Sequence, residues 1–511
     1  LVELEGLDHR SELVHLDLVV QHNQAPCRVR RFHVVTSVSG KMRTLKINNA
    51  SIDTLKAALL ERMYFCVVDG AFVPPPPVDK NHAFATLKGF RNGLLKKLGT
   101  KPSKLTPEEF VEMFRGRKKT IYNNALEEFY EKGVLRKHAI SAAFVKCEKV
   151  NPTKAPRCIQ PRHPVYNIGV GCYLKHIEHR IYRSINKMFG EKHVVMKGYN
   201  VEEIGEIISD KWSSFARPVG IGLDATKFDM HVSAEMLQWE HSIYLDLYKN
   251  DKELRRLLKM QVENKGVGHC DDGKLKYSVR GRRFSGDMNT ALGNCLIMCA
   301  MVWQYAKEKN IPIKFINNGD DCVVFMEREH ELEFVRGLDE WFIKMGFRMT
   351  REPSAHNLED IEFCQMRVLR TSRGNVAVRN FDTAREKDSM CLFPLDNESA
   401  MRKWLYAVGE CGLALCGGVP VMESFYKCYM RNGIKSNMQD AVHMQSGMRF
   451  LAVRMEAKEA PITPDARTSF MMAWGYAPDE QVAMEQYYDQ LNIEHTIETI
   501  DNYLLYNYSP L

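Results

Sequence analysis

Two adjacent aspartates, Asp320 and Asp321, stand in the stretch IKFINNGDDCVVF between Ile313 and Phe325. Their flanks are apolar runs of Val, Ile and Phe, the pattern of short strands. Asn318-Gly319 ahead of the acids is a hairpin-turn signal. The spacing predicts strand, tight turn, strand, with carboxylates at the tip. Such a tip is either a solvated surface hairpin or a rigid pair of hard oxygen donors for a divalent cation. Two further acids lie upstream in ARPVGIGLDATKFDMH. There a strand runs into Asp224, and Asp229 falls at the turn into a helix. Five extended residues span about 17 Å, so these two acids need not share an ion. Metal binding for Asp224 and substrate contact for Asp229 is the simpler division.

Polar and basic groups follow the same logic. In SGDMNTALGNCLIMCAMVWQYAKEK, Ser285-Gly286 reads as a loop, with the glycine allowing close backbone approach. Beyond it one long helix is expected, with Asp287, Thr290 and Asn294 at i, i+3 and i+7 on one face. Buried polar groups need partners, which either a core network or a sugar or phosphate in a cleft could supply. The segment FVKCEKVNPTKAPRCIQP places Lys146, Lys149, Lys154 and Arg157 on an extended, proline-interrupted stretch. It is either an ordinary charged loop or a channel wall that neutralises phosphates. Arg157 could grip a triphosphate bidentately, which lysine does less well. RGRKK at 115–119 contributes Lys118 and Lys119, as a solvated basic helix end or as contacts to a nucleic-acid backbone.

The elements that must hold these residues are legible in part. FHVVTSV near the start is β-like, and Pro74 to Pro77 form a stiff connector. TPEEF at 106–110 has the form of a helix start, with Thr106 as N-cap, Pro107 at the first position and Glu109 closing a capping box. Met236, Trp239, Ile243 and Leu247 share one face of a helix after Asp229. A basic, polar insertion covers about 250–284. ELEFVRGLDEWFIKMGF reads as one amphipathic helix and IEFCQMRVL, at 361–369, as one strand. From about 386 onward the pattern is mostly helical, broken at Gly-Gly-Val-Pro, 417–420.

The 511 residues carry a net charge of +7, which suits a polyanionic partner. Fourteen cysteines lack any CxxC pair, so core thiols in a reducing compartment are expected, rather than a disulfide framework or paired zinc ligands. The opening residues lack the pattern of a signal peptide, so none is expected. It starts at Leu1 rather than Met, so a fragment or processed product is expected. The apolar run from Cys295 to Trp303 is too short to span a bilayer. Membrane attachment would have to come from sequence beyond these residues or from a partner.

Taken together, DATKFD, SGDMNTALGN, NNGDDCVVF, EFCQ and KCEKVNPTKAPRCIQP resemble the motifs of RNA-dependent RNA polymerases of plus-strand RNA viruses. Most of all they resemble those of the plant tombusvirus family and its umbravirus relatives. GDD alone is three letters; with SGxxxTxxxxN and DxxxxD upstream the pattern is specific. The resemblance implies an α+β fold: a closed right hand of fingers, palm and thumb, with an antiparallel palm sheet flanked by helices. It implies fingers and N-terminal region over 1–215, palm over 216–250, a fingers insertion over 251–284, palm over 285–385 and thumb over 386–511. Asp224, Asp320 and Asp321 would be the catalytic and metal-binding acids, holding two Mg²⁺ ions, with Mn²⁺ as a substitute. Asp229, Ser285, Thr290 and Asn294 would meet the nucleotide sugar and template. Lys146, Lys149 and Arg157 would meet the triphosphate. Gly286, Cys364, Gln365, Lys118 and Lys119 would meet RNA or primer. A general acid after the hairpin stays unassigned among Lys344, Arg348 and Arg351.

The implied reaction is attack of a 3′-hydroxyl on a nucleoside triphosphate along an RNA template, with initiation de novo. The implied partners are template and product RNA, NTPs and a replication auxiliary protein or missing N-terminal region, with no DNA. The implied location is membrane-associated replication complexes in the host cytoplasm. The alternatives are a reverse transcriptase, which usually carries an aromatic where Asp229 stands, and a non-catalytic RNA-binding subunit, which would lack one of the metal acids.

Overall fold

The structure is a computed structural model that describes residues 13–39, 44–437 and 448–501. At its centre is an antiparallel four-stranded sheet in the order Lys314–Asn318, Asp321–Glu327, Pro218–Ala225, Met349–Arg351. Side chains alternate across a strand. Cys322, Val324 and Met326 therefore join one apolar cluster, with Val219, Ile221 and Leu223 from the neighbouring strand. Val323 and Phe325 join the opposite cluster. The sheet is thus buried on both faces. The helix Thr290–Lys309 contributes Leu296, Cys299 and Val302 to the first cluster, and Val201–Ser213 contributes Ile204 and Ile208 to the second.

A five-stranded sheet runs Leu18–His22, Gly273–Arg280, Glu263–Cys270, Ser141–Val145, Cys158–Ile159. The basic insertion expected at 250–284 supplies its central hairpin. Leu275 and Tyr277 are buried on one face, while Lys265, His269, Lys274 and Lys276 stand exposed on the other. The strand Arg31–Val35 pairs with Met390–Cys391 and Ile497–Asp501, tying the N-terminal region to the C-terminal one. Helices Glu398–Cys416 and Met422–Arg431 flank the expected break at 417–420. Trp404 is buried there; Trp474 and Tyr476 pack half-buried against the same core. Tyr503, Tyr506 and Tyr508 lie outside the described residues. Among the described residues no helix is long and apolar enough to cross a membrane.

Several local expectations hold. Thr106 accepts from the Glu109 amide at 3.1 Å and the Glu109 carboxylate accepts from the Thr106 amide at 2.8 Å, so the capping box forms. Met236, Trp239, Ile243 and Leu247 are all buried on Ala234–Leu247. Others need correction. The stretch 331–347 forms two helices, Glu331–Val335 and Leu338–Lys344, because Gly337 between them adopts φ 75°. The 361–369 stretch is a hairpin, Glu362–Phe363 and Met366–Thr371, rather than one strand. The long helix starts at Thr290, so Asp287 does not share its face with Thr290 and Asn294. Instead the Asp287 carboxylate turns to the buried Arg162 guanidinium, accepting from Nε at 2.5 Å and from Nη2 at 3.1 Å. RGRKK opens the helix Gly116–Lys132 rather than closing one.

Candidate active site

Register brings the acids together. Asp321 lies directly opposite Asp224 across the central strand pair, a spacing of about 4.5–5.5 Å between Cα atoms. Opposed residues point to the same face, here the one that carries Val323 and Phe325. Asn318 pairs with Asp321, so the two-residue turn is Gly319-Asp320, with φ 72° at Gly319. Asn318 therefore ends a strand rather than entering the turn. A glycine with positive φ at the first turn position suits the tight hairpin and leaves Asp320 exposed at the tip.

The three carboxylates are in electrostatic contact. Desolvation, then the Asp320 charge, pushes Asp224 up to about 6, while Lys154 pulls it down. Burial pushes Asp321 up to about 7, with Asp320, Asp224 and Glu352 adding to the rise and a backbone hydrogen bond opposing it. That bond comes from the Cys364 amide, which donates to Asp321 Oδ2 at 2.8 Å. Cys364 and Gln365 form the turn of the 362–371 hairpin with φ 51° and 60°, strained values for side-chain-bearing residues. Asn318 Nδ2 also donates to Cys364 Sγ at 3.4 Å. The two hairpin tips are therefore bonded to each other, and this fixes where Asp321 points.

Asp229 lies on the short helix Phe228–His231, after Lys227 turns the chain through a left-handed conformation. Burial pushes its carboxyl up to about 6, against the pull of a hydrogen bond from Asn294 and with the Asp320 charge adding to the rise. Asn294 Nδ2 donates to Asp229 Oδ1 at 2.9 Å. Thr290 is spent locally, its hydroxyl donating to the Phe284 carbonyl at 2.8 Å. A Cβ on Gly286, which has φ 128°, would press on the backbone of Gln160 and Pro161 at 3.1 Å. Its close approach is therefore to the chain itself, where the Gln160 amide donates to the Ser285 carbonyl at 2.7 Å.

A cleft of about 890 Å³ opens over these groups. Asp224, Asp229, Asp320, Ser285, Lys149, Arg157, Cys364 and Gln365 line it, as do Lys154 and Arg283. Asp321, Lys146, Gly286, Thr290, Asn294, Lys118 and Lys119 do not. Nor do Lys344, Arg348 and Arg351. The basic segment is partly committed to the protein. Lys149 donates to the Lys387 and Met390 carbonyls, each at 2.6 Å, and burial lowers its pKa to about 8. Lys146 and Arg157 flank Glu148 at 3.1 and 3.6 Å. Lys119 pairs with Glu112 at 2.9 Å, and Lys118 stands exposed over the Phe114 ring.

Arg283 and Glu240, which belong to none of the sequence motifs, form a fully buried ion pair at 2.5 Å behind Asn294. The available signals were a charged residue on an apolar helix face and a glycine, Gly293, inside a helix. A separate cluster of Glu128, His138 and His163 has metal-ligand composition. However, His138 Nδ1 accepts from the Leu135 amide at 3.0 Å and His163 Nδ1 from the Val165 amide at 3.2 Å. Each Nε2 of the neutral rings must then carry the hydrogen, and that of His138 faces Glu128 at 3.1 Å. The rings stack at 4.8 Å. Both imidazoles are thus committed to the chain, and of the three groups only the Glu128 carboxylate keeps lone pairs for a cation.

A family model described as viral RNA dependent RNA polymerase matches residues 18–496. The RNA-directed RNA polymerase of Melon necrotic spot virus is 41% identical over 491 residues, which cover 95% of this chain and 61% of that protein. That of Turnip crinkle virus is 42% identical over 479 residues, 92% of this chain and 61% of the relative. That of Tobacco necrosis virus (strain A) is 38% identical over 487 residues, 94% and 66% respectively. The chain therefore spans about three fifths to two thirds of the length of these relatives.

Proposed function

The chain belongs to the viral RNA-dependent RNA polymerase family, and on that premise we propose that it copies an RNA template into RNA from nucleoside triphosphates. The observation that carries this reading is the convergence of Asp224, Asp320 and Asp321 at one end of the central sheet, beside a cleft with a basic wall. The donor set fits divalent cations. It is all carboxylate oxygen, and Asp224 and Asp321 are raised first by burial and then by neighbouring carboxylates, so a counter-charge would favour their ionised forms. When bound, two Mg²⁺ ions, or Mn²⁺ in their place, supply Lewis-acid stabilisation of the attacking 3′-hydroxyl and the leaving pyrophosphate.

The remaining work falls to the chain's own groups. Asp321, held by the Cys364 amide, keeps its second oxygen for the cation site. Arg157 and Lys154 on the cleft wall neutralise triphosphate charge. Asp229, oriented by Asn294, accepts from a sugar hydroxyl and so favours ribonucleotides. Ser285 at the cleft supports template and sugar, and the Cys364-Gln365 turn supports the primer strand.

The finer reading is a closed right hand, with fingers over 1–215 and 251–284, palm over 216–250 and 285–385, and thumb over 386–511. It starts synthesis de novo at the template 3′ end. It acts in membrane-associated complexes of the host cytoplasm through an auxiliary protein or further N-terminal sequence. The test is incorporation of labelled NTPs by the purified chain on a short RNA, with Mg²⁺ or with EDTA, beside DNA-template and dNTP arms. Mg²⁺-dependent, RNA-templated NTP incorporation is expected. Preference for dNTPs would favour a reverse transcriptase, and RNA binding without synthesis a non-catalytic subunit.

A further inference from the structure

Behind the sugar-facing pair lies a chain of buried hydrogen bonds that runs away from the cleft. Asn294 donates to Asp229 Oδ1 through Nδ2 and accepts at Oδ1 from Arg283 Nε at 2.8 Å. Arg283 Nη2 donates to Glu240 Oε1 at 2.5 Å. Glu240 Oε2 accepts from Tyr244 at 2.7 Å and from Asn289 at 2.8 Å, and Asn289 in turn accepts from Gln261 at 2.8 Å. Arg283 also holds Asp229 through the backbone, its amide donating to the Asp229 carbonyl at 2.9 Å.

The direction of this chain matters. An asparagine amide has nearly identical shape in its two flipped orientations, but only one donates toward Asp229. A guanidinium has donors only. With Arg283 Nε–H on one side, Asn294 must present its oxygen there and its NH₂ toward the carboxylate. A flip would set oxygen against carboxylate and NH₂ against N–H. Glu240 is what permits a guanidinium at this depth, since an unpaired buried charge is strongly unfavourable. Space for the pair comes from Gly293. A Cβ there would meet Arg283 Nη2 at 2.2 Å and Glu240 carboxylate oxygens at 2.5 Å. A glycine inside a helix is less stable than an alanine there, so this helix gives up stability to seat the pair.

We propose that Arg283, anchored by Glu240 in the gap at Gly293, is a positioning residue for ribose recognition. It locks the Asn294 amide in the orientation that leaves one oxygen of Asp229 to accept from the nucleotide's 2′-hydroxyl. The proposal rests on the polymerase reading above.

Single-turnover incorporation of GTP and 2′-deoxyGTP, opposite the same template base on an annealed primer, tests it. Three variants are compared: Arg283→Lys; the double Arg283→Met with Glu240→Leu, which removes both charges together; and Gly293→Ala, which keeps every charge and displaces the guanidinium by one methyl. In each, the ratio of kcat/KM for GTP over deoxyGTP falls by about tenfold or more, while RNA affinity is retained. Circular dichroism melting identifies folded variants, and Gly293→Ala decides if the others do not fold. An equal loss for both nucleotides, or an unchanged ratio, would assign the pair to core structure alone and overturn the proposal. A wild-type chain that incorporates neither nucleotide would instead overturn the polymerase reading.

Discussion

Asp321→Asn should weaken catalysis and strengthen the fold at once. The asparagine oxygen can still accept from the Cys364 amide, so the bond between the two hairpin tips survives. What disappears is a charge held against Asp320, Asp224 and Glu352. A carboxyl pushed from 3.8 to about 7 by burial and these neighbours corresponds to an upper bound of about 4 kcal/mol, at 1.36 kcal/mol per pH unit. Partial solvent access reduces the expected gain to about 1–2 kcal/mol. The sign follows from linkage. Above about pH 7 the folded protein must ionise a group that prefers its proton, so the full penalty is present. Below about pH 4 both folded and unfolded chains are protonated, and the penalty is gone. Chemical melts of the metal-free protein in EDTA should therefore show Asp321→Asn more stable than wild type at pH 7.5, with the gap closing by pH 4. Nucleotide addition in Mg²⁺ should fall by about two to three decades, the loss typical when an electrostatic stabiliser of the transition state is removed. A variant less stable than wild type at pH 7.5 would refute the view of Asp321 as a strained charge. Near-wild-type synthesis would refute its place in the chemistry.

Basic residues should separate into three behaviours. Arg157→Ala raises the NTP concentration needed for half-maximal rate. Lys149→Met lowers the melting midpoint instead, because its ammonium ties the 144–161 segment to the Lys387 and Met390 carbonyls. Neutralising Lys118 and Lys119 lessens the salt dependence of RNA binding. Identical effects from all three would count against the division. His231 and His241 are buried, their pKa values pushed down to about 4. Stability contributed by neutral His231 is present above about pH 6.5 and lost as pH falls toward 4. The melting advantage of wild type over His231→Asn should shrink across that window, and a constant gap would contradict it. The tail YLLYNYSPL supplies aromatic rings on which a first nucleotide could stack, so deleting Tyr503 to Leu511 should reduce product begun without a primer while extension of an annealed primer survives. Equal loss in both reactions would make the tail structural.

Much of this protein is written in local chemistry. The hairpin at 314–327, the strand into Asp224, the capped helix at Thr106 and the apolar face of Ala234–Leu247 follow from period, turn residues and caps. Those are interactions between residues a few positions apart, and they are legible without a fold. Motif composition likewise marked the acids, Asn294 and the basic segment. Other features depended on partners far along the chain. Asp320 and Asp321 are neighbours in sequence, yet strand register sets Asp321 opposite Asp224 and leaves Asp320 in the turn. The hairpin at 362–371 reads as one strand until Cys364 and Gln365 adopt positive φ, a strain held by the bonds of Cys364 to Asp321 and Asn318. Asp287 leaves the helical stripe because Arg162, 125 positions earlier, offers a buried guanidinium. Lys149 looks like a free phosphate ligand until two carbonyls about 240 residues away claim it. Arg283 and Glu240 are 43 positions apart and become partners only where Gly293 leaves room for them. Local composition and spacing settle which groups are present and which short elements carry them. Which charges face the cleft and which are spent on the core was decided only by tertiary structure, because desolvation acts on neighbours in space and makes every buried charge find its partner there.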